Sequence, residues 1–423
     1  MNYTRYTLSN GLTVLFDHMP QVESISIRIL FKVGSRDELN SIDGISHIVE
    51  HMLFKGTNKR TAKDIAEEFD MIGGYLNAYT GKEKTVYYAK VLKDDAVVGI
   101  DILSDIIINS THIEEELKKE KTVIMQEISD LIDDPTDVLF EAVWEKAFAN
   151  HQIGKPIAGT HESVKLCSRD NIINYIKQYY NPTNSFLSIS GSFDEKETLD
   201  LINQKFGYWT SSDEKPEAYT IPEYAGGDVR IKKPIEQAHI AIAFKGVSIH
   251  HEDYYSHQIT ALIAGGSMSS RLFQEVRENH GLAYNISAFA SNYNDCGLWG
   301  VYASTDPESL KELVDVTINE LKKMASNITE KEITTAKAQI KSSLLMAMES
   351  SGSRAEKLAN NIATFGRIIS NEEIVQKINE VDINAVQQCI KGLLNSSEKC
   401  TVVGVGQIDN LQSYDEIMRK IYD

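Results

Sequence analysis

The chain has 423 residues, 42% of them apolar and 25% charged, values that exclude a disordered or fibrous protein. That length exceeds one ordinary core, so two domains of roughly 200 residues each are expected. Lys plus Arg at 43 against Asp plus Glu at 61 leaves a net charge of −18, which argues against nucleic acid and anionic membranes as partners and favours cationic ligands.

Taken in chain order, apolar periodicity predicts strands at Leu12–Phe16 and Ile25–Phe31 and helices at Gly44–Phe54 and Ala62–Met71. Strands at Tyr75–Thr80 and Val86–Val91 follow, and then long helices that include Ile113–Leu131. The clearest break is Ser211–Gly227, SSDEKPEAYTIPEYAGG, where prolines, a glycine pair and charges interrupt the pattern. After it come a strand at Ala238–Phe244, helices near His251–Ala264 and Arg271–Asn279, and strands near Tyr284–Ser291 and Gly297–Ala303.

The two halves repeat one order of elements. The expected fold is α+β: two similar domains, each a mostly antiparallel mixed sheet with helices on one face. The expected division is 1–212, a linker at 213–228, and 229–423, with one half catalytic and the other supporting it. No apolar run approaches the roughly 18 residues needed to span a bilayer, and the N-terminal segment has neither a signal-peptide h-region nor an Arg-rich transit pattern. A non-secreted protein without membrane insertion is expected. The four cysteines, Cys167, Cys296, Cys389 and Cys400, are widely spaced with no C-x-x-C pair and read as reduced, buried thiols.

The chemistry is concentrated in Gly44–Phe54, GISHIVEHMLF. His47 and His51 are four residues apart, about 40° around a helix, so both imidazoles leave one face and can supply two of the three protein ligands of a catalytic zinc. Glu50 is suited to reach a water beside the metal without being a ligand. A pattern fixed at three of five positions is weak alone. The apolar residues Ile45, Ile48, Val49, Met52, Leu53 and Phe54 strengthen it, because enclosed ionisable groups need partners.

A third ligand should be a carboxylate on an apolar helix face. In Ile113–Leu131, Glu127 has Val123 at i−4, Ile124 at i−3 and Leu131 at i+4. Glu120, seven residues earlier, shares that stripe, whereas Glu114, Glu115 and Glu116 open the helix where acids meet the dipole favourably. This assigns Glu127 as the third ligand of one zinc ion per chain and Glu120 as a carboxylate that orients a ligating histidine.

With these residues in view, the sequence resembles the inverzincin peptidases of the pitrilysin and insulinase group, most closely the mitochondrial processing peptidase beta-subunit branch and its free-standing bacterial homologues. The resemblance rests on LSNGLTVL at Leu8–Leu15, GSRDE at Gly34–Glu38, GISHIVEHMLFKGT at Gly44–Thr57, GGYLNAYTGKEKTVYYAKV at Gly73–Val91 and VIMQEI at Val123–Ile128. It implies a zinc metalloendopeptidase. Its distal glutamate lies about 76 residues after the second histidine, and 127 minus 51 is 76; its second acid, seven residues upstream, matches Glu120. Lys121 stands where relatives usually have arginine.

The same resemblance extends to GGSMSSRLFQEVRENHGLAY at Gly265–Tyr284, where Arg277 and Tyr284 match a pair that holds substrate and stabilises the developing oxyanion. Without it, Arg277 reads as a surface cation and Tyr284 as half-buried core. It further implies that Asn77 and Ala78, central in Tyr75–Thr80, belong to an edge strand that pairs with substrate backbone. A homodimer, or a heterodimer with a related chain, is expected, with Arg277 and Tyr284 acting in cis or in trans. A bacterial cytoplasm is expected rather than a mitochondrial matrix.

Asp137 and Glu141, four apart, share a helical face and read from spacing as a solvated acidic face or as a paired-carboxylate pocket for a guanidinium. Their offsets from Glu127 resemble those of the acids with which processing peptidases hold an arginine two residues before the cleaved bond, which implies basic, presequence-like peptides as substrates. The alternative is a non-catalytic assembly subunit of the same family, a class that characteristically loses zinc ligands or the base; here they are all retained.

Overall fold

The computed structural model describes residues 3–38, 42–210, 220–395 and 399–422. The chain forms two compact units, one of Met1–Ser129, Pro156–Tyr219 and Leu344–Ser370, the other of Asp130–Lys155, Thr220–Ser343 and Asn371–Asp423. The first holds β1 (Tyr3–Thr7), β2 (Thr13–His18), β3 (Ser24–Phe31), β4 (Tyr75–Thr80), β5 (Thr85–Leu92) and β6 (Ser185–Gly191), in the order β1-β2-β6-β3-β5-β4. The second holds β7 (Gly227–Lys232), β8 (Ala238–Lys245), β9 (Ala283–Asn292), β10 (Gly297–Thr305) and β11 (Thr401–Gly406), in the order β7-β11-β8-β10-β9.

Without β1, the two orders coincide strand for strand. The β2/β6 and β7/β11 pairs are parallel and every other pair is antiparallel. The fold is therefore α+β, with two mixed, mostly antiparallel sheets and helices packed on them.

Each sheet carries, on the face opposite its main helical layer, one helix from the other half of the sequence. In β8, Ile240, Ile242 and Phe244 enter the main core of the second unit, while the alternating Ala241 and Ala243 enter a smaller core. Those small side chains leave room for the helix Pro135–Ala147, whose Leu139, Val143 and Ala147 are fully buried beside them.

In the first unit the helix Ser351–Phe365 does the same, burying Ala355, Leu358, Ala359 and Ile362 at helical spacing against Leu15, Leu30 and Val86. It is fixed by a two-pronged ion pair from Arg354 to the fully buried Asp17, 2.5 and 2.6 Å. Removing either partner of such a buried pair costs about 3–5 kcal/mol. A division at 213–228 thus separates the two sheets but not the two exchanged segments. Within that span, residues 213–219 lie outside the described residues, and Gly227 and Asp228 already belong to β7.

Two consequences position the site. The helix Ile45–Leu53 packs on the first sheet, and β4, paired only with β5 among the described residues, is that sheet's edge. No helix among the described residues is long and apolar enough to cross a membrane.

Candidate metal centre and active site

The helix Ile45–Leu53 buries Ile45, Ile48, Val49, Met52 and Leu53, leaving His47, Glu50 and His51 on the remaining face. Its entry is tightly specified. Gly44 has φ +90°, and a Cβ there would come 2.5 Å from the Ala158 carbonyl oxygen, so only glycine fits. The orphan N–H groups of Gly44 and Ser46 donate to the Glu38 carboxylate at 2.6 and 2.9 Å. Burial pushes the Glu38 carboxyl up to about 8 despite these donors.

The helix brings His47 Nε2 and His51 Nε2 to 3.3 Å, and Glu127 Oε2 from the helix Glu114–Asp133 lies 3.5 Å from the latter and 3.8 Å from the former. Zinc bound tetrahedrally at about 2.0–2.1 Å needs donor atoms about 3.4 Å apart, so this triangle fits the ion. His47, His51 and Glu127 are the one group of three or more His, Cys, Asp or Glu able to hold a metal among the described residues. Burial, reinforced by His51, lowers His47 to about 4, so it is neutral and able to ligate at neutral pH.

Glu120 is 5% exposed and sits behind the triangle, its Oε2 3.0 Å from His51 Nδ1 and its Oε1 2.7 Å from Lys55 Nζ. The apolar stripe on this helix runs through Leu117, Glu120, Ile124 and Ile128. Val123, used above to place Glu127 on that stripe, is 44% exposed, and the Glu127 side chain is 41% exposed at its border. Val123 thus lies outside the buried stripe, and Glu127 meets both histidines from its border. His47 has no comparable partner, since its Nδ1 is buried without a hydrogen bond among the described residues.

Glu50 accepts a 2.5 Å hydrogen bond from Thr80 Oγ1 at the end of β4. Burial raises its pKa, while the Thr80 hydroxyl and the nearby His51 oppose the rise. Neither Thr80 nor Lys55 stood out in the sequence. Lys55, four residues after His51, carries a faint signal in that spacing; Thr80 carries none.

On β4, the exposed Asn77 turns its Oδ1 to the Ala78 N–H and its Nδ2 to the Tyr75 hydroxyl, both at 2.8 Å. The remaining sequence candidates belong to the second unit. Arg277 lies in a π-helical segment, Phe273–Asn279, a form enriched at functional sites, and its guanidinium sits 4.6 Å from the ring centroids of both Phe273 and Tyr284. Tyr284 is 71% exposed. Arg277 and Tyr284 are thus brought together. Asp137 is exposed in the first turn of Pro135–Ala147, its pKa raised by burial of the carboxyl and by Asp134, the helix cap; Glu141 is half-buried one turn on.

The family model described as insulinase (peptidase family M16) matches residues 13–161, and that described as peptidase M16 inactive domain matches residues 167–340. A protein of Rickettsia bellii named "Uncharacterized zinc protease" is 41% identical over 404 residues, which cover 95% of this chain and 98% of that protein. The chain belongs to peptidase family M16. The M16 segment described as insulinase contains the His47–His51–Glu127 group, and the segment described as inactive contains Arg277 and Tyr284. Among solved structures, a protease from Helicobacter pylori matches with a TM-score of 0.89 at 20% identity over 96% of this chain and 99% of that one. A chain of Complex III2 from Candida albicans matches with a TM-score of 0.85 at 22% identity over 99% and 100%. These two likenesses carry the M16 fold and nothing further.

Proposed function

We propose that this M16 chain is a zinc-dependent endopeptidase that cleaves extended peptides, preferring basic ones with an arginine near the cleaved bond. The observation that carries the reading is the donor triangle of His47, His51 and Glu127 with Glu50 beside it. Zinc held there supplies Lewis acidity toward the scissile carbonyl and the attacking water. Glu50 takes the water's proton on its carboxylate and returns it to the leaving amine nitrogen as the C–N bond breaks. Glu120 holds His51 through Nδ1 and so fixes which ring nitrogen faces the metal.

Substrate backbone adds to the open edge of β4 at Asn77 and Ala78, exchanging the Asn77 side chain for a peptide carbonyl at the Ala78 N–H. Arg277 and Tyr284 hold substrate and stabilise developing charge, in cis or from a second chain of a homodimer or related heterodimer. Asp137 and Glu141 form the arginine subsite, and the net charge of −18 favours basic peptides. A bacterial cytoplasm is the compartment of this reading, in line with the Rickettsia relative.

A non-catalytic assembly role has one observation on its side, the likeness to a chain of Complex III2, and that concerns fold alone. The retained donor set and base count against it. The deciding experiment is hydrolysis of an arginine-containing quenched peptide before and after chelation, with zinc added back. Zinc-restored cleavage supports the endopeptidase, and a zinc-replete chain without turnover supports the assembly role.

A further inference from the structure

We infer that Thr80 is the positioning residue that aims Glu50, so that the strand proposed to pair with substrate also sets the direction of the base. The inference rests on the endopeptidase reading above and adds a residue to it. Glu50 reaches its place through three rotatable bonds, and its helix fixes none of the outer two. What fixes the carboxylate is the Thr80 hydroxyl, which donates to Oε2 at 2.5 Å. That bond sets the plane of the carboxylate and engages one of its lone pairs, and the remaining ones face a proton from water in a fixed direction.

The donor itself is well held. Thr80 is the last residue of β4, opposite Thr85 of β5, and Thr85 is anchored by its own hydroxyl to the Val33 carbonyl at 3.0 Å. A β-branched residue in a strand has little freedom at χ1, so the hydroxyl points where the backbone directs it. Residues alternate in side along β4, so Thr80 shares a side with Ala78, and the buried Ala78 precedes it by two residues. A peptide that extends the sheet along β4 thus binds to the backbone that carries the Glu50 clamp. Sheet register and base orientation become one property.

A bland alternative is that Thr80 merely satisfies a half-buried carboxylate. Three variants separate the two. Thr80→Val keeps the shape and removes the hydroxyl; it should lower kcat roughly tenfold or more, the weight of a hydrogen bond to a charged group, with KM and zinc content unchanged. Thr80→Ser should recover most of that loss. In the metal-free chain, Thr80→Val should lower Tm in the parent background and shift it less in Glu50→Ala, a coupling that needs no turnover.

A parental kcat in Thr80→Val, zinc loss in that variant, or a Thr80→Ser no better than valine would each overturn the inference while leaving the endopeptidase intact. A parent that binds zinc but cleaves no peptide removes the endopeptidase and the role of Thr80 together.

Discussion

Glu120 Oε2 lies 3.0 Å from His51 Nδ1, and the other oxygen of the same carboxylate lies 2.7 Å from Lys55 Nζ. A buried acid is thus shared between a candidate ligand and a cation at the end of the same helix. Groups of this kind typically change metal affinity by 10–100-fold when removed. Glu120→Ala should weaken zinc binding by about that factor in a chelator competition, and Lys55→Met should weaken it in the same direction by less. Unchanged affinity in both variants would show that the trio is only packing.

Glu50 and the three ligands should separate cleanly. Glu50→Gln is expected to retain one zinc per chain by elemental analysis while losing roughly 10²-fold or more in turnover, the usual weight of a general base. His47→Ala, His51→Ala and Glu127→Ala should instead lose metal. Full zinc occupancy in Glu127→Ala would move the third ligand to another acid.

Much of this was legible from local pattern. Ala62–Met71 and Tyr75–Thr80 have the predicted bounds because Thr61 and Asp64 form a reciprocal cap on the first and the second sits between turns. The histidine spacing was readable for the same reason, since one helical turn decides it. The exchange of helices was not, because an Ala- and Leu-rich stripe such as Ala355–Ile362 fits either sheet and carries no label of which. Val123 misled because a stripe recurring every three or four residues has a border, and Glu127 lies on it. The π-helical turn at Arg277 has no composition cue that distinguishes it from an α-helix.

The contact of Arg277 with Tyr284 makes the pair a unit in which either change should act on substrate and not on fold. Tyr284→Phe should lower kcat/KM with zinc content and Tm unchanged, because the exposed phenol packs no core. Mixing Arg277→Ala and Glu50→Gln chains tests sharing: activity regained in proven heterodimers means action in trans, and none means cis.

The acids at the start of Pro135–Ala147 set a specificity test. Matched peptides with Arg or Ala two residues before the cleaved bond should differ several-fold in kcat/KM, a span within what one or two charge-assisted hydrogen bonds supply. Asp137→Ala with Glu141→Ala should remove the difference. A double variant that discriminates like the parent puts the arginine subsite elsewhere.

Glu38 gives the entry of the ligand helix a pH dependence with a definite sign. Burial raises its folded-state pKa to about 8 from an ordinary value of 4.5. Below 4.5 both folded and unfolded chains hold the proton, and its contribution to stability is fully present. As pH rises the unfolded chain ionises first, so stability is lost progressively until the folded group titrates near 8. Glu38→Gln cannot ionise, and it offers one carbonyl oxygen in place of the two oxygens that meet the Gly44 and Ser46 N–H groups, so it carries a fixed cost without the pH slope. Melting of the metal-free chains at pH 5, 6.5 and 8 should show the parent losing its advantage over Glu38→Gln step by step. Because Gly44 and Ser46 lie three and one residues before His47, the same substitution should weaken zinc binding at every pH. Parallel melting curves across the series would mean that Glu38 is ionised throughout, held so by its two backbone donors.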